Sequence, residues 1–149
     1  MTSAIDTALD DLAAEFDLLG ANPGEDWEER YRHVIDLGRE LTPLADAERS
    51  EANKVRGCAS QVWLVTEPQP EGAVAFRGDS DAHIVRGLIA ILLRLYSGNR
   101  PSDILAFDAD AAFAKLGLSG ALSAQRSNGL ASMVARIRRD AEALQAARP

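Results

Sequence analysis

From Ile84 to Tyr96 the chain is apolar on nearly every side, interrupted only by Arg86 and Arg94. A helix of that kind belongs at the centre of a fold, so the rest of the chain must supply the elements that wrap it. Asp79-Ser80-Asp81 offers capping groups ahead of it, and Ser97-Gly98-Asn99 stops it. Two amphipathic helices precede it. Ile5, Leu9, Leu12, Phe16 and Leu19 recur at helical spacing behind a cap at Ser3, and Gly20 with Pro23 ends the run. Asp26 with Glu29 reads as a capping box for a second helix, whose inner face is Trp27, Tyr31, Val34, Ile35, Gly38 and Leu41, stopped near Pro43. Beyond the central helix, Pro101-Ser102-Asp103 opens a short helical turn and Asp108 caps another that ends at Gly117. Leu130, Met133, Val134, Ile137, Ala141 and Leu144 mark a last helix, predicted to start at Ser127.

Between Asn53 and Gly78 the helical period is lost. Val62–Thr66 and Ala73–Phe76 read as strands joined by the proline-rich turn Glu67–Gly72, and a third short strand is expected around Lys54–Arg56. The pattern predicts an α+β fold: a small antiparallel sheet of about three strands packed against several helices. At 149 residues and 16.0 kDa the chain is expected to be a single domain, 1–149, burying roughly two-thirds of its unfolded surface.

Net charge is −7 and uneven: residues 1–51 hold 14 acids and 4 bases, the remainder 9 and 12. That remainder is too weakly basic, and too poor in aromatics, for a phosphate-neutralising nucleic-acid surface. The longest apolar stretch, Leu88 to Leu93, falls far short of the ~20 residues that span a bilayer. The first residues lack the basic and apolar regions of a signal peptide, and a lone cysteine forms no intramolecular disulfide. A cytoplasmic protein without membrane contact is expected.

That cysteine, Cys58, is the first candidate for chemistry. A single cysteine is ordinarily a small buried hydrophobe. Here, however, Gly57 permits a turn that other residues resist, Ala59 and Ser60 are too small to shield the sulfur, and Lys54 and Arg56 lie close enough in sequence to favour a thiolate. On these residues alone the filler and nucleophile readings stand level. His33 and His83 each stand alone, without the three or four donors of a metal site. Asp79 and Asp81 read first as capping residues. Arg126 lies at a helix entrance, and Gly129, costing about 1 kcal/mol against alanine inside a helix, signals a close backbone approach.

Asn53-Lys54-Val55-Arg56-Gly57-Cys58-Ala59-Ser60-Gln61-Val62-Trp63-Leu64 resembles the cysteine segment of the SufE family of sulfur-acceptor proteins. Gly78–Leu88 resembles that family's second segment, and Leu116-Gly117-Leu118 with Arg126–Leu130 its third, in the family's order. The resemblance implies an α+β domain similar to IscU-like iron–sulfur scaffold domains. It also implies a function: persulfide sulfur is taken from a pyridoxal-phosphate-dependent cysteine desulfurase (SufS- or CsdA-like), which is thereby stimulated, and passed on to a scaffold complex for iron–sulfur cluster assembly. Cys58 is then the persulfide acceptor. Arg126, Asp81, Asp79, Lys54, Arg56, Gly57 and Ser60 are its supporting or partner-contacting residues. The chain itself is expected to bind no cofactor and no metal, the pyridoxal phosphate staying on the desulfurase, and to be a carrier and activator rather than an independent enzyme. A cluster scaffold or a non-catalytic desulfurase-binding adaptor is the alternative, and oligomeric state, a homodimer included, stays open. Where family members often read His-Leu-Ser/Thr-Pro-Ser-Arg, this chain has Ala121-Leu122-Ser123-Ala124-Gln125-Arg126, keeping the arginine and lacking the proline.

Overall fold

A computed structural model describes residues 3–18, 27–118 and 122–147. In chain order these form α1 (Ala4–Asp17), α2 (Trp27–Arg39), β1 (Val62–Pro68), β2 (Val74–Ser80), α3 (His83–Tyr96), α4 (Pro101–Ala106), α5 (Ala109–Lys115) and α6 (Ala124–Ala146). The expected α+β class holds. Leu19, Gly20, Pro23 and Asp26, read above as stops and a cap, lie outside the described residues.

The all-apolar segment is the hub. α3 buries Ile84, Gly87, Leu88, Ile89, Ala90, Ile91, Leu92, Leu95 and Tyr96, and α1, α2, β2 and α6 all pack on it. α1 starts where Ser3 Oγ accepts from Asp6 N at 3.2 Å, and it turns Ile5, Leu12, Ala13 and Phe16 inward. Each fully buried leucine, isoleucine or phenylalanine contributes roughly 1.5–3 kcal/mol. α2 comes unusually close to α3: a Cβ on Gly87 would lie 2.0 Å from Val34 O, and one on Gly38 would lie 2.6 Å from Gly87 N. Only glycine fits at that crossing.

β1 and β2 form an antiparallel hairpin in the register Val62↔Ser80 through Pro68↔Val74. Several predictions need correction here. The sheet has two strands among the described residues, not about three, so the expected likeness to IscU-like scaffold domains is loosened to a two-stranded α+β domain. Around Lys54–Arg56 there is one isolated bridge, Lys54↔Trp63, because Gly57 at φ +93° turns the chain away from β1 before pairing can propagate. Asp79-Ser80 also does not cap α3: both residues belong to β2, and the helix begins after Ala82 with no side-chain cap. The last helix starts one turn earlier than predicted, after Ser123, whose Oγ accepts from Arg126 N at 3.2 Å.

Candidate functional site

The approach to Cys58 is fixed from both sides. Val55 is buried and donates its N–H to Val62 O at 2.8 Å, while Arg136 on α6 donates to the carbonyls of Lys54 (3.2 Å) and Ala52 (2.9 Å). Gly57 then makes its left-handed turn against α6, where a Cβ would meet Ser132 Oγ at 2.5 Å. The turn delivers Cys58, half-buried, to the start of α6, and its Sγ–H donates to Gly129 O at 3.5 Å. The close backbone approach that Gly129 signalled in the sequence is this carbonyl contact, and a Cβ there would meet Sγ at an ordinary 3.6 Å.

The sulfur faces a cavity of about 280 Å³ lined by Ile84, Leu88 and Met133 on the apolar side and by Ser60, Gln125 and Arg126 toward the surface. Burial pushes the Cys58 thiol up from its ordinary value of 9.0. The expectation that Lys54 and Arg56 would pull it down is corrected. Arg56 reaches away to Glu51 at 3.3 Å, and both cations line a separate cleft of about 400 Å³ with Arg136 and Arg139. Burial thus favours the protonated thiol of Cys58 over its thiolate.

Beyond Cys58 the loop is latched to the end of β2. Asp81 Oδ1 accepts from Gln61 N at 3.1 Å, Asp81 N donates to Gln61 O at 3.3 Å, and Ser80 Oγ donates to the same carbonyl at 2.7 Å. Asp79, by contrast, is buried away from the cavity at 1% exposure. Burial drives its carboxyl up, but the N–H groups of Ser80 (2.8 Å) and Leu44 (3.2 Å), with Arg49 at 2.9 Å and Arg86 at 3.3 Å, hold it below the usual range. It braces the 44–49 segment against β2 and α3.

The structure thus brings Cys58, Ser60 and Arg126 to one cavity, sets Gly57 at the turn against α6, places Asp81 on the loop behind, and leaves Lys54, Arg56 and Asp79 elsewhere. Sequence reasoning missed Tyr31 on α2: the Arg126 guanidinium carbon stands 5.4 Å from its ring centroid. Its helical spacing marked it as an inner-face residue, and nothing local pointed to a partner 95 positions away. His33 Nε2 lies 3.5 Å from Glu15 Oε1 between α1 and α2, outside the cavity, and His83 opens α3 exposed to solvent. Among the described residues no group of three or more His, Cys, Asp or Glu side chains is placed to hold a metal ion, and no helix is long and apolar enough to cross a membrane. A larger hollow of about 710 Å³ between α5 and α6 contains neither cysteine nor histidine.

The chain is similar to known proteins over most of its length. Residues 14–141 match the family described as "SufE: Fe-S metabolism associated domain". An uncharacterized SufE-like protein of Rhizobium etli is 54% identical over 143 residues, covering 94% of this chain and 93% of that one. Another, from Rhizobium meliloti, is 48% identical over 139 residues, covering 91% and 96%. Among solved structures, that of a hypothetical protein from Thermus thermophilus superposes with a TM-score of 0.73 over 94% of this chain and 97% of the other; at 16% identity it speaks for the fold alone.

Proposed function

Since this chain belongs to the SufE family, which is associated with Fe–S metabolism, we propose that it is a sulfur acceptor: it takes persulfide sulfur from a pyridoxal-phosphate-dependent cysteine desulfurase onto Cys58 and passes it on for iron–sulfur cluster assembly. The observation that carries this reading is the chain's one thiol, set on a glycine turn against a cavity with one apolar side and an arginine at its rim.

In the transfer, the Cys58 thiolate attacks the outer sulfur of a persulfide on the donor cysteine. The Cys58–sulfur bond forms as the donor's S–S bond breaks, and the donor cysteine leaves as thiolate, ready to accept the proton that Cys58 gave up. The exchange is redox-neutral. No metal or nucleotide takes part in it, and the pyridoxal phosphate that liberates sulfur from cysteine belongs to the donor. A thiol raised by burial is a poor nucleophile where it rests, so the reaction calls for the Gly57–Ser60 loop to swing outward, into water and into the donor's site. The latch at Gln61 fixes the far end of that movement, and Gly57 is its hinge. Removing the persulfide frees the donor's cysteine and so stimulates the desulfurase. A single thiolate per chain favours this role over a cluster scaffold, which holds iron with several.

Incubation with a cysteine desulfurase and L-cysteine, followed by mass spectrometry of the intact chain, is the test. The expected outcome is a one-sulfur mass increment on Cys58, lost in Cys58→Ser together with the stimulation of turnover. Undiminished stimulation by Cys58→Ser overturns the acceptor role.

A further inference from the structure

Arg126 differs from most arginines of the described residues. Arg49, Arg77, Arg94 and Arg136 each lie against a carboxylate. The Arg126 guanidinium has no such partner among the described residues; its contact is the face of Tyr31, 5.4 Å from the ring centroid. A guanidinium against an aromatic ring is fixed in place while its edge N–H groups stay free to donate. This one is half-buried and lines the cavity into which Cys58 opens. A cation in the first turn of a helix opposes the helix dipole, so helix stability does not account for it.

The resting thiol does not use this charge, since burial alone shifts it. A persulfide on Cys58 is different. Its outer sulfur lies about 2 Å beyond Sγ, and hydropersulfides are stronger acids than thiols, so the loaded group carries its negative charge further into the cavity. We propose that Tyr31 is a positioning residue: its ring holds the Arg126 guanidinium at the cavity as counter-ion to the terminal sulfur of the Cys58 persulfide. This rests on Cys58 being the sulfur acceptor. Tyr31 touches no reacting atom itself; it acts through Arg126.

The test loads Cys58 with sodium tetrasulfide and follows alkylation of the terminal sulfur by iodoacetamide as a function of pH, read by mass spectrometry. Tyr31→Leu and Arg126→Gln are each expected to raise the apparent pKa of the loaded sulfur by about one unit, a tenfold loss of alkylation rate on the acid side. Tyr31→Phe keeps the ring and leaves the profile unmoved, and Tyr31→Leu adds nothing in the Arg126→Gln background. An unshifted profile in Arg126→Gln overturns the proposal, even if Tyr31→Leu does not fold. So does a shift in Tyr31→Phe equal to that in Tyr31→Leu, or a wild-type chain that tetrasulfide cannot load. Tetrasulfide acts without a desulfurase: absent shifts in a chain that the desulfurase loads normally refute the Tyr31 role alone, whereas absent loading by the desulfurase refutes the acceptor role.

Discussion

Gly129 sits buried inside α6 at a cost of about 1 kcal/mol against alanine, and its carbonyl accepts from the Cys58 thiol at 3.5 Å. Gly129→Ala is expected to raise stability by about 0.5–1 kcal/mol in urea denaturation, since the new Cβ meets Sγ at an ordinary contact distance of 3.6 Å. Gly57→Ala acts in the opposite sense. Its φ of +93° and a 2.5 Å approach to Ser132 Oγ predict a loss of about 1–3 kcal/mol, read in the same titration. Alkylation of unloaded Cys58 should show an apparent pKa above 9.0, since burial disfavours its thiolate; a value below 9.0 would mean that the cations reach it after all. At this scale much was legible in the sequence: the turn at Gly57, the lone thiol and the close approach at Gly129 all follow from residue type and spacing. The direction of the thiol's shift was not. Neighbours in sequence do not say where long side chains point, and Arg56 points at Glu51.

The crossing of α2 and α3 rests on two glycines. Gly87→Ala would drive a methyl group into Val34 O, 2.0 Å away, and the helices must separate to admit it. A loss of about 3 kcal/mol is expected, seen as a lower urea midpoint at unchanged slope. α3 itself was legible because a helix apolar all round has one place to go, and α1 because its cap and stripe agree. The end of β2 was not: Gly78-Asp79-Ser80 carries turn-like residues, and Asp79 is tolerated in a strand through Arg49 and Arg86, whose positions only the tertiary fold brings near. The start of α6 was displaced because Ser123 and Ser127 are both competent caps. Tertiary packing chose the earlier one.

Over the whole molecule, acidic side chains concentrated in the first third are drawn into ion pairs that tie distant segments together. Arg77 on β2 joins Glu48 and Glu67, and Arg94 on α3 joins Glu15 on α1 at 2.5 Å. Arg77 holds the Glu48 carboxyl down from 4.5 to about 2, and Arg94 likewise lowers Glu15. Groups whose folded pKa lies below the unfolded one bind fewer protons in the native state, so their contribution is complete above about 4.5 and fades as pH falls toward about 2. Stability measured by circular dichroism should therefore be level near neutrality and decline through that window, with a shallower decline in Arg77→Gln. The chain possesses one thiol, and it opens into a cavity shared with Met133 and Arg126. With no second cysteine to resolve it, an oxidised Cys58 has no exit by internal disulfide. Under the proposed acceptor role, each molecule would carry its sulfur on this one thiol, and release would need a thiol of another molecule.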